Sequence, residues 1–340
     1  MGERVTTPSS VPPAGDLDAL ERHVGALWLA RDVVQVHGAD ATSYLQGQCS
    51  QDVETLDAGA AADALLLSPQ GKIDALVRVV RVGDDDFLLD TEGGFGPAVV
   101  ARLERFKLRV RVEVDPLPWR ALALRGDRAD PAVFGGSPGA SGGDGLGGRT
   151  APGPEVTVAV PYSWNGVRGV DLLGPAPAVP AGVRVCAPAA LEVLRIKAGI
   201  PRAGAEIDER TIPAEVGLVG RCVSFTKGCY TGQELVARLD ARGTNVARRL
   251  SRVVVDGPAV HGDAAALWHA TVVVDGADAG TVTSAALDPR DGTVTALAFL
   301  HRRVTPPCEV TLRSPTAADR PEDPPASVRA RAFPIELATD

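Results

Sequence analysis

Residues 224–238, Ser-Phe-Thr-Lys-Gly-Cys-Tyr-Thr-Gly-Gln-Glu-Leu-Val-Ala-Arg, gather a thiol, an ammonium, a phenol, an amide and a carboxylate in one short run. The spacing predicts a helix over 231–239, with Leu235 and Val236 turned inward and Glu234 in the first turns. Gly228 and Gly232 then flank a tight loop that enters the helix, and Cys229 stands just ahead of the helix N-terminus. The positive end of a helix and the Lys227 ammonium both favour a thiolate. Cys229 therefore reads as a nucleophile or redox handle; the same residues also allow an inert cysteine packed beside glycines. A catalytic dyad needs a base. No histidine lies near in sequence, and Glu234 and Asp240 have no evident pairing, so a cysteine-protease arrangement is not predicted.

Other reactive side chains are scattered. Arg238, Arg242, Arg248 and Arg249 surround Asp240, which suits either an anion contact or a charge-balanced solvated face. His261 and His269 have no carboxylate at metal-ligand spacing and read as structural or surface residues. The five cysteines, Cys49, Cys186, Cys222, Cys229 and Cys308, are odd in number, irregularly spaced and lack a Cys-x-x-Cys. That excludes the usual disulfide, zinc and iron–sulfur ligand sets and suits reduced thiols in a cytoplasmic protein. The net charge of −8 gives no basic face for nucleic acid, so no nucleic-acid partner is expected. No apolar run reaches the ~18 residues needed to span a bilayer, so no membrane partner is expected. The polar N-terminus lacks the apolar core of a signal peptide, and residues 1–25 read as a disordered lead-in.

The elements that must position Cys229 follow from periodicity. A strand at 33–38 and a helix capped by Asp40 precede a strand at 59–67. The turn Ser68-Pro69-Gln70-Gly71 leads into an alternating strand at 72–82, whose hairpin partner lies at 87–90. A helix at 95–106 and a strand at 108–114 complete a β-α-β-β-β-α-β order, giving an α+β domain over 26–116. A second α+β domain spans 117–248. It has a Gly/Ser/Pro-rich flexible loop at 135–154, strands at 156–160 and 167–173, and a helix at 188–199 stopped by Gly199 and Pro201. Over 249–340, short Val- and Thr-rich runs at 252–255, 271–274, 280–287, 293–300 and 309–312 read as a small β-barrel. Asp275-Gly276 and Asp291-Gly292 are its expected hairpin turns.

The run Lys227-Gly228-Cys229-Tyr230-Thr231-Gly232-Gln233-Glu234 resembles the signature of the YgfZ family. These are folate-binding proteins related to the T-protein, or aminomethyltransferase, of the glycine cleavage system and to mitochondrial iron–sulfur assembly factors. Four further blocks resemble the same family: Tyr44-Leu45-Gln46-Gly47-Gln48 with Asp52-Val53, Ser68 to Ile73, Arg195 to Pro201, and Ile212-Pro213 with Glu215. The resemblance implies an α+β fold in which two α+β domains and a small C-terminal β-barrel form a three-domain ring around a channel for tetrahydrofolate. It implies that Cys229 faces that channel as the reactive group, and that the protein supports iron–sulfur cluster assembly or repair in client enzymes. The expected folate contacts are Asp74, Arg195, Arg238 and the loop residues Lys227, Gly228, Tyr230, Gly232, Gln233 and Glu234. An arginine among them would meet the folate glutamate tail, since a guanidinium matches carboxylate geometry; the alternative for Arg195 is an interdomain salt bridge. The aminomethyltransferases carry an Asp-Asp pair where this chain has Ile73-Asp74-Ala75-Leu76, so one carboxylate remains. That counts against a folate-dependent aminomethyltransferase, which stays an alternative beside a non-catalytic folate-binding module; a conventional enzyme is not expected. The family's channel-facing tryptophan position falls on Arg31 here, with Trp28 three residues away as either a core or a channel residue.

Overall fold

The computed structural model describes residues 11–134, 158–241, 245–256, 264–314 and 327–335. The expected flexible loop at 135–154 lies outside these residues, as do Arg242 and His261.

The chain opens with helix α1 (Ala14–Arg22) and strand β1 (Gly25–Leu29). Against the expected disorder over 1–25, residues 14–22 form a helix and Gly25 begins a strand; residues 1–10 lie outside the described residues. Leu17 and Leu20 are fully buried and pack on Val193 and Leu194, far along the chain. Two leucines on one short turn carry little periodic signal; their partners supply the stability. The Asp16 carboxylate accepts from the Ala187 N–H (2.8 Å) and from Arg184 Nε (2.7 Å), which pins α1 to the second module.

The first module comprises β2 (Arg31–His37), α2 (Ala41–Gln48), β3 (Ala61–Leu67), β4 (Ile73–Gly83), β5 (Asp86–Glu92), α3 (Gly96–Phe106) and β6 (Glu113–Leu117). Its antiparallel sheet has the order β3-β4-β5-β2-β6. Alternation turns Ala75, Val77 and Val79 of β4 toward Tyr44 and Leu45 of α2 and Val99 and Leu103 of α3. Each such buried side chain contributes about 1.5–3 kcal/mol. The strand expected at 108–114 begins only at Glu113, because Arg109 adopts φ 57° and cannot continue an extended run.

The second module contains β7 (Arg120–Arg125), α4 (Pro131–Phe134), β8 (Val158–Trp164), β9 (Val167–Gly174), β10 (Arg184–Val185), α5 (Pro188–Ala198), α6 (Val219–Cys222) and α7 (Gln233–Ala241). Its sheet runs β10-β1-β7-β9-β8, so β1 belongs here rather than to the first module. Helix α5 stops at Gly199, which takes φ 73° as a left-handed C-terminal residue. The two sheets meet through Val33, Val80 and Leu88 on one side and Ala121, Val160 and Leu173 on the other.

The third module is a closed six-stranded barrel in the order β11-β14-β13-β12-β15-β16. Its strands are β11 (Arg248–Val255), β12 (Thr271–Val274), β13 (Ala277–Leu287), β14 (Val294–His301), β15 (Cys308–Arg313) and β16 (Ser327–Pro334). Small residues such as Ala296, Ala298, Ala330 and Ala332 fill its interior beside Val253, Val272 and Leu312. Asp275 (φ 51°) and Gly276 (φ 76°) form the tight β12–β13 turn, as their sequence predicts. One core is shared by all three modules. It joins Leu65, Leu67 and Ile73 to Trp164, Ile196 and Tyr230, and these to Leu250, Leu297 and Phe299.

Candidate functional site

Three sequence blocks converge around Cys229. The Lys227 ammonium donates to the carbonyls of Gln46 (2.7 Å), Cys49 (2.8 Å) and Gln51 (2.8 Å). These carbonyls lie at and just beyond the C-terminal end of α2, where the helix dipole favours a cation. The Thr231 N–H reaches the Gly47 carbonyl (3.2 Å), and the Ser224 N–H reaches the Ser50 carbonyl (3.0 Å). Ser50 Oγ in turn donates to the Cys222 carbonyl (2.5 Å). The signature loop of the second module is thus stitched to residues 46–51 of the first. Gln46 holds the same segment from behind, donating to Asp52 and accepting from the Val53 and Glu54 N–H groups.

The turn at 68–71 docks on the other side of the loop. Gly232 has φ 84°, and a Cβ there would come within 2.5 Å of the Ser68 carbonyl oxygen. Gly71 has φ 73°, and a Cβ there would lie 2.6 Å from that of Leu235. These two glycines are required by backbone conformation and by close approach. Gly228 and Gly47 differ, since a Cβ at either meets nothing within 4 Å. Gly228 and Cys229 are exposed, and so is Phe225 at 52%. Cys229 therefore lies at the surface, on a loop fixed at both ends. Burial lowers the Lys227 pKa and raises that of Cys49 to about 12, so Cys49 stays a neutral thiol. Cys222 is likewise buried, with its pKa pushed well up.

Several residues expected at a ligand are committed elsewhere. All three Lys227 protons are used by carbonyls, so it anchors the loop and has no donor left for a ligand. Tyr230 is a core residue with its pKa raised to about 12 by burial. The Gln233 side chain accepts from the Tyr230 N–H (3.2 Å) and closes the turn. Glu234 and Arg238 pair with each other on the exposed face of α7. Arg195 is buried and fully engaged. Nε and Nη2 grip Glu192 (2.9 and 2.6 Å), Nη1 bonds the Ile200 carbonyl and Glu206, and Nη2 also donates to Ser284 in the barrel. Its ion pairs, to Glu192 and Glu206, lie within the second module, its link to the barrel is the hydrogen bond to Ser284, and no proton of it is left for a ligand.

Asp74 occupies a β-bulge. Leu66 pairs with Ala75 and Leu67 with Ile73, leaving Asp74 without a cross-strand partner. The bulge lets its carboxylate accept from Arg102 Nε (3.1 Å). Arg102 also donates to Gln48 (3.0 Å) and to the Leu67 carbonyl (3.0 Å), and it stacks 3.9 Å from the Phe106 ring centroid. Asp74 is thus joined through Arg102 to the same end of α2 that Lys227 holds. Trp28 is partly exposed and covered by the Arg120 guanidinium at 3.9 Å.

A polar cluster between the two sheets was not anticipated. Asp171 of β9 accepts from Arg78 of β4 (2.8 Å) and pairs with Arg125 of β7 (2.7 Å). Arg78 also pairs with Asp90, which accepts from Arg31 (2.6 Å). The two guanidinium groups hold the Asp171 carboxyl down at about 2 against the opposing effect of burial. Arg125 lies 3.7 Å from the Tyr162 ring centroid, and Arg221 lies 4.4 Å from that of Trp164. Arg78 Nε, Arg125 Nε and Trp164 Nε1 are buried donors with no acceptor among the described residues. The available signal was a charged residue at an inward position of an apolar strand: Arg78 among valines, Asp90 after leucines, and Asp171 between valine and leucine.

No family model matches the chain. A protein of Vibrio vulnificus named tRNA-modifying protein YgfZ is 28% identical over 214 residues, covering 63% of this chain and 64% of the relative, so the match spans less than two thirds of that protein. A Yersinia pestis protein of the same name is 26% identical over 286 residues, covering 79% and 82%. An uncharacterized protein of Haemophilus influenzae is 26% identical over 226 residues, covering 63% and 67%. In three dimensions the chain matches the glycine cleavage system aminomethyltransferase T of Bartonella henselae, with a TM-score of 0.72 and 19% identity over 94% of this chain and 88% of that one. Among the described residues no helix is long and apolar enough to cross a membrane. In sequence the chain is similar to proteins named YgfZ, and it carries the fold of the glycine cleavage aminomethyltransferase.

Proposed function

We infer that this protein binds a reduced folate and presents Cys229 to client proteins in the assembly or repair of their iron–sulfur centres. One observation carries the reading: the thiol is exposed while its loop is clamped by Lys227 on one side and by the Gly71–Gly232 contact on the other. A cysteine needed only for packing has no reason to be held outward this way. The orphaned donors between the sheets, Arg78 Nε, Arg125 Nε and Trp164 Nε1, suit the carbonyl and ring-nitrogen acceptors of a pterin. Bound folate would supply a one-carbon carrier or a reduced ring; these donors and Asp171 would orient it.

The relatives' name speaks of tRNA modification. Clients that themselves modify tRNA would reconcile that name with the net charge of −8 here, since the RNA contact would lie in the client. Aminomethyl transfer is less well supported. It calls for a free carboxylate as base, whereas the single Asp74 is paired with Arg102.

Calorimetry with tetrahydrofolate, on wild type and on Asp74→Ala, tests the folate half of the reading. Complementation of a deletion strain with Cys229→Ala tests the sulfur half. We expect Cys229→Ala to bind folate normally and to leave iron–sulfur enzyme activity unrestored. Full restoration by that variant, or no tetrahydrofolate binding by wild type, would overturn the corresponding half.

A further inference from the structure

Behind α5 the chain holds four charges away from water: Glu192, Arg195, Arg202 and Glu206. Arg195 spends every proton, as described above. Glu206 accepts from Arg195 Nη1 (3.0 Å), the Arg202 N–H (3.1 Å), Thr283 Oγ1 (2.8 Å) and Ser284 Oγ (2.6 Å), which joins the cluster to barrel strand β13. Arg202 differs from Arg195. Only its Nη1 has an acceptor, Glu192 at 3.3 Å. Its Nε and Nη2 are shielded from solvent and find no acceptor among the described residues. These two nitrogens form one edge of the guanidinium plane, the edge whose parallel N–H bonds match the two oxygens of a carboxylate.

The orientation of this edge is fixed before any ligand arrives. The Arg202 carbonyl accepts from the N–H groups of Ala205, Glu206 and Ile207 (3.3, 3.0 and 3.1 Å), its own N–H is held by Glu206, and Nη1 by Glu192. A shielded charged donor without an acceptor is costly, and an arriving acceptor recovers that cost. The two glutamates and two arginines cancel in charge. A ligand would therefore be selected by the shape of the edge rather than by net attraction.

We propose that Arg202 binds a carboxylate of the ligand, which for a folate is the glutamate tail. The assignment rests on the folate reading above. The sequence pointed to an arginine for this role in Arg195 or Arg238; Arg195 has no proton left, Arg238 stands on the exposed face of α7 beside Glu234, and the shielded open edge is that of Arg202.

The test is calorimetry of the full chain with tetrahydrofolate, its glutamate diamide, and a tetrahydropterin lacking the tail. Wild type should bind tetrahydrofolate about 10- to 100-fold more tightly than the diamide, the range for a charge-assisted pair. Arg202→Met should bring tetrahydrofolate down to the diamide's affinity and leave the diamide unchanged. Arg202→Lys, which keeps the charge but not the edge, should behave like Arg202→Met. Equal wild-type affinities for the acid and the diamide, or full tetrahydrofolate affinity in Arg202→Met, overturn the proposal. In those cases tetrahydropterin binding by wild type leaves the folate reading standing. If wild type binds none of the three ligands, both fall. Should Arg202→Met fail to fold, the comparison of acid and diamide on wild type decides alone.

Discussion

Replacing Lys227 by Met keeps most of the side-chain stem and removes the ammonium that ties the signature loop to α2. Bonds from a charged donor contribute about 1.5–3 kcal/mol each, so the three carbonyl contacts gross roughly 5–9 kcal/mol. Against them stand about 2 kcal/mol of lysine rotamer entropy and a desolvation penalty of a few kcal/mol for a half-buried cation. The net loss in Lys227→Met is then about 2–3 kcal/mol, felt locally because each module keeps its own core. Hydrogen exchange reads it directly. The Thr231 and Ser224 amides, bonded to Gly47 and Ser50 across the stitch, should lose protection by roughly 30- to 150-fold, since 1.4 kcal/mol is tenfold. Amides in the barrel, such as Val253, should not change. Lys227→Arg should recover less than half of the protection, because a planar fork cannot converge on three carbonyls as an ammonium does. Unchanged exchange at Thr231 and Ser224 in Lys227→Met would refute the clamp, and Lys227 would then have to be explained by its charge alone.

The motif glycines separate folding from function. Gly232→Ala should destabilise by about 1–3 kcal/mol in denaturant titration, from its positive φ and the Ser68 carbonyl in its path. Gly228→Ala should stay within about 0.5 kcal/mol of wild type, as expected at an open surface position. If Gly228→Ala folds normally but fails complementation, a partner approaches the backbone there; normal complementation would remove that reason for the glycine. The Asp171 carboxyl, held at about 2, contributes stability that is fully present above the unfolded aspartate value near 4 and is lost as pH falls toward 2. Asp171→Asn should flatten the stability profile in that window. At neutral pH it should cost about 3–5 kcal/mol, because Arg78 and Arg125 lose a shared buried partner; a pH profile parallel to wild type would count against the ion pairs.

Much of the architecture was written in short-range pattern. The alternation of β4, the Pro-initiated helix α5 with Gly199 behind it, and the Asp-Gly turn of the barrel all follow from local rules, and the helices and strands that were expected lie within a few residues of their places, while α1, β1, α4, β10, α6 and β16 were not expected. Helix α1 was illegible because its stability comes from α5, some 170 residues away, through Asp16 and Ala187. Strand β1 could not be assigned to the second sheet from its own residues, since strand pairing is a long-range choice. At the site, the motif located the loop but misread its chemistry. Lys227 looked like an activator of the neighbouring thiol, and a sequence does not show that three carbonyls from residues 46–51 surround its ammonium. Asp74 was expected at a folate from the resemblance to the aminomethyltransferases' Asp-Asp pair; at its β-bulge the carboxylate accepts from Arg102. Arg195 was legible only as two alternatives, a folate contact or an interdomain salt bridge; the acceptors around it are ion pairs within its own module and a hydroxyl of the barrel.

The contacts that fix Cys229 and the unpartnered donors span the same boundary between modules. Arg78 reaches from β4 to Asp171 on β9, and Lys227 reaches back from the signature loop to α2. Both links cross from the first module to the second, and the shared core through Leu65, Leu67 and Tyr230 leaves the two little freedom to slide. A ligand that draws Arg78 away from Asp171 must therefore either be accommodated without movement or shift the two modules as bodies. In the second case the loop is carried along, because its anchors lie on both. Coupling of this kind is reciprocal: whatever grips the exposed sulfur then alters the affinity for the ligand by the same factor. A ligand held between the sheets would in this way influence whatever binds at Cys229 without touching the sulfur, through the relative placement of two sheets rather than through bonds formed at the thiol.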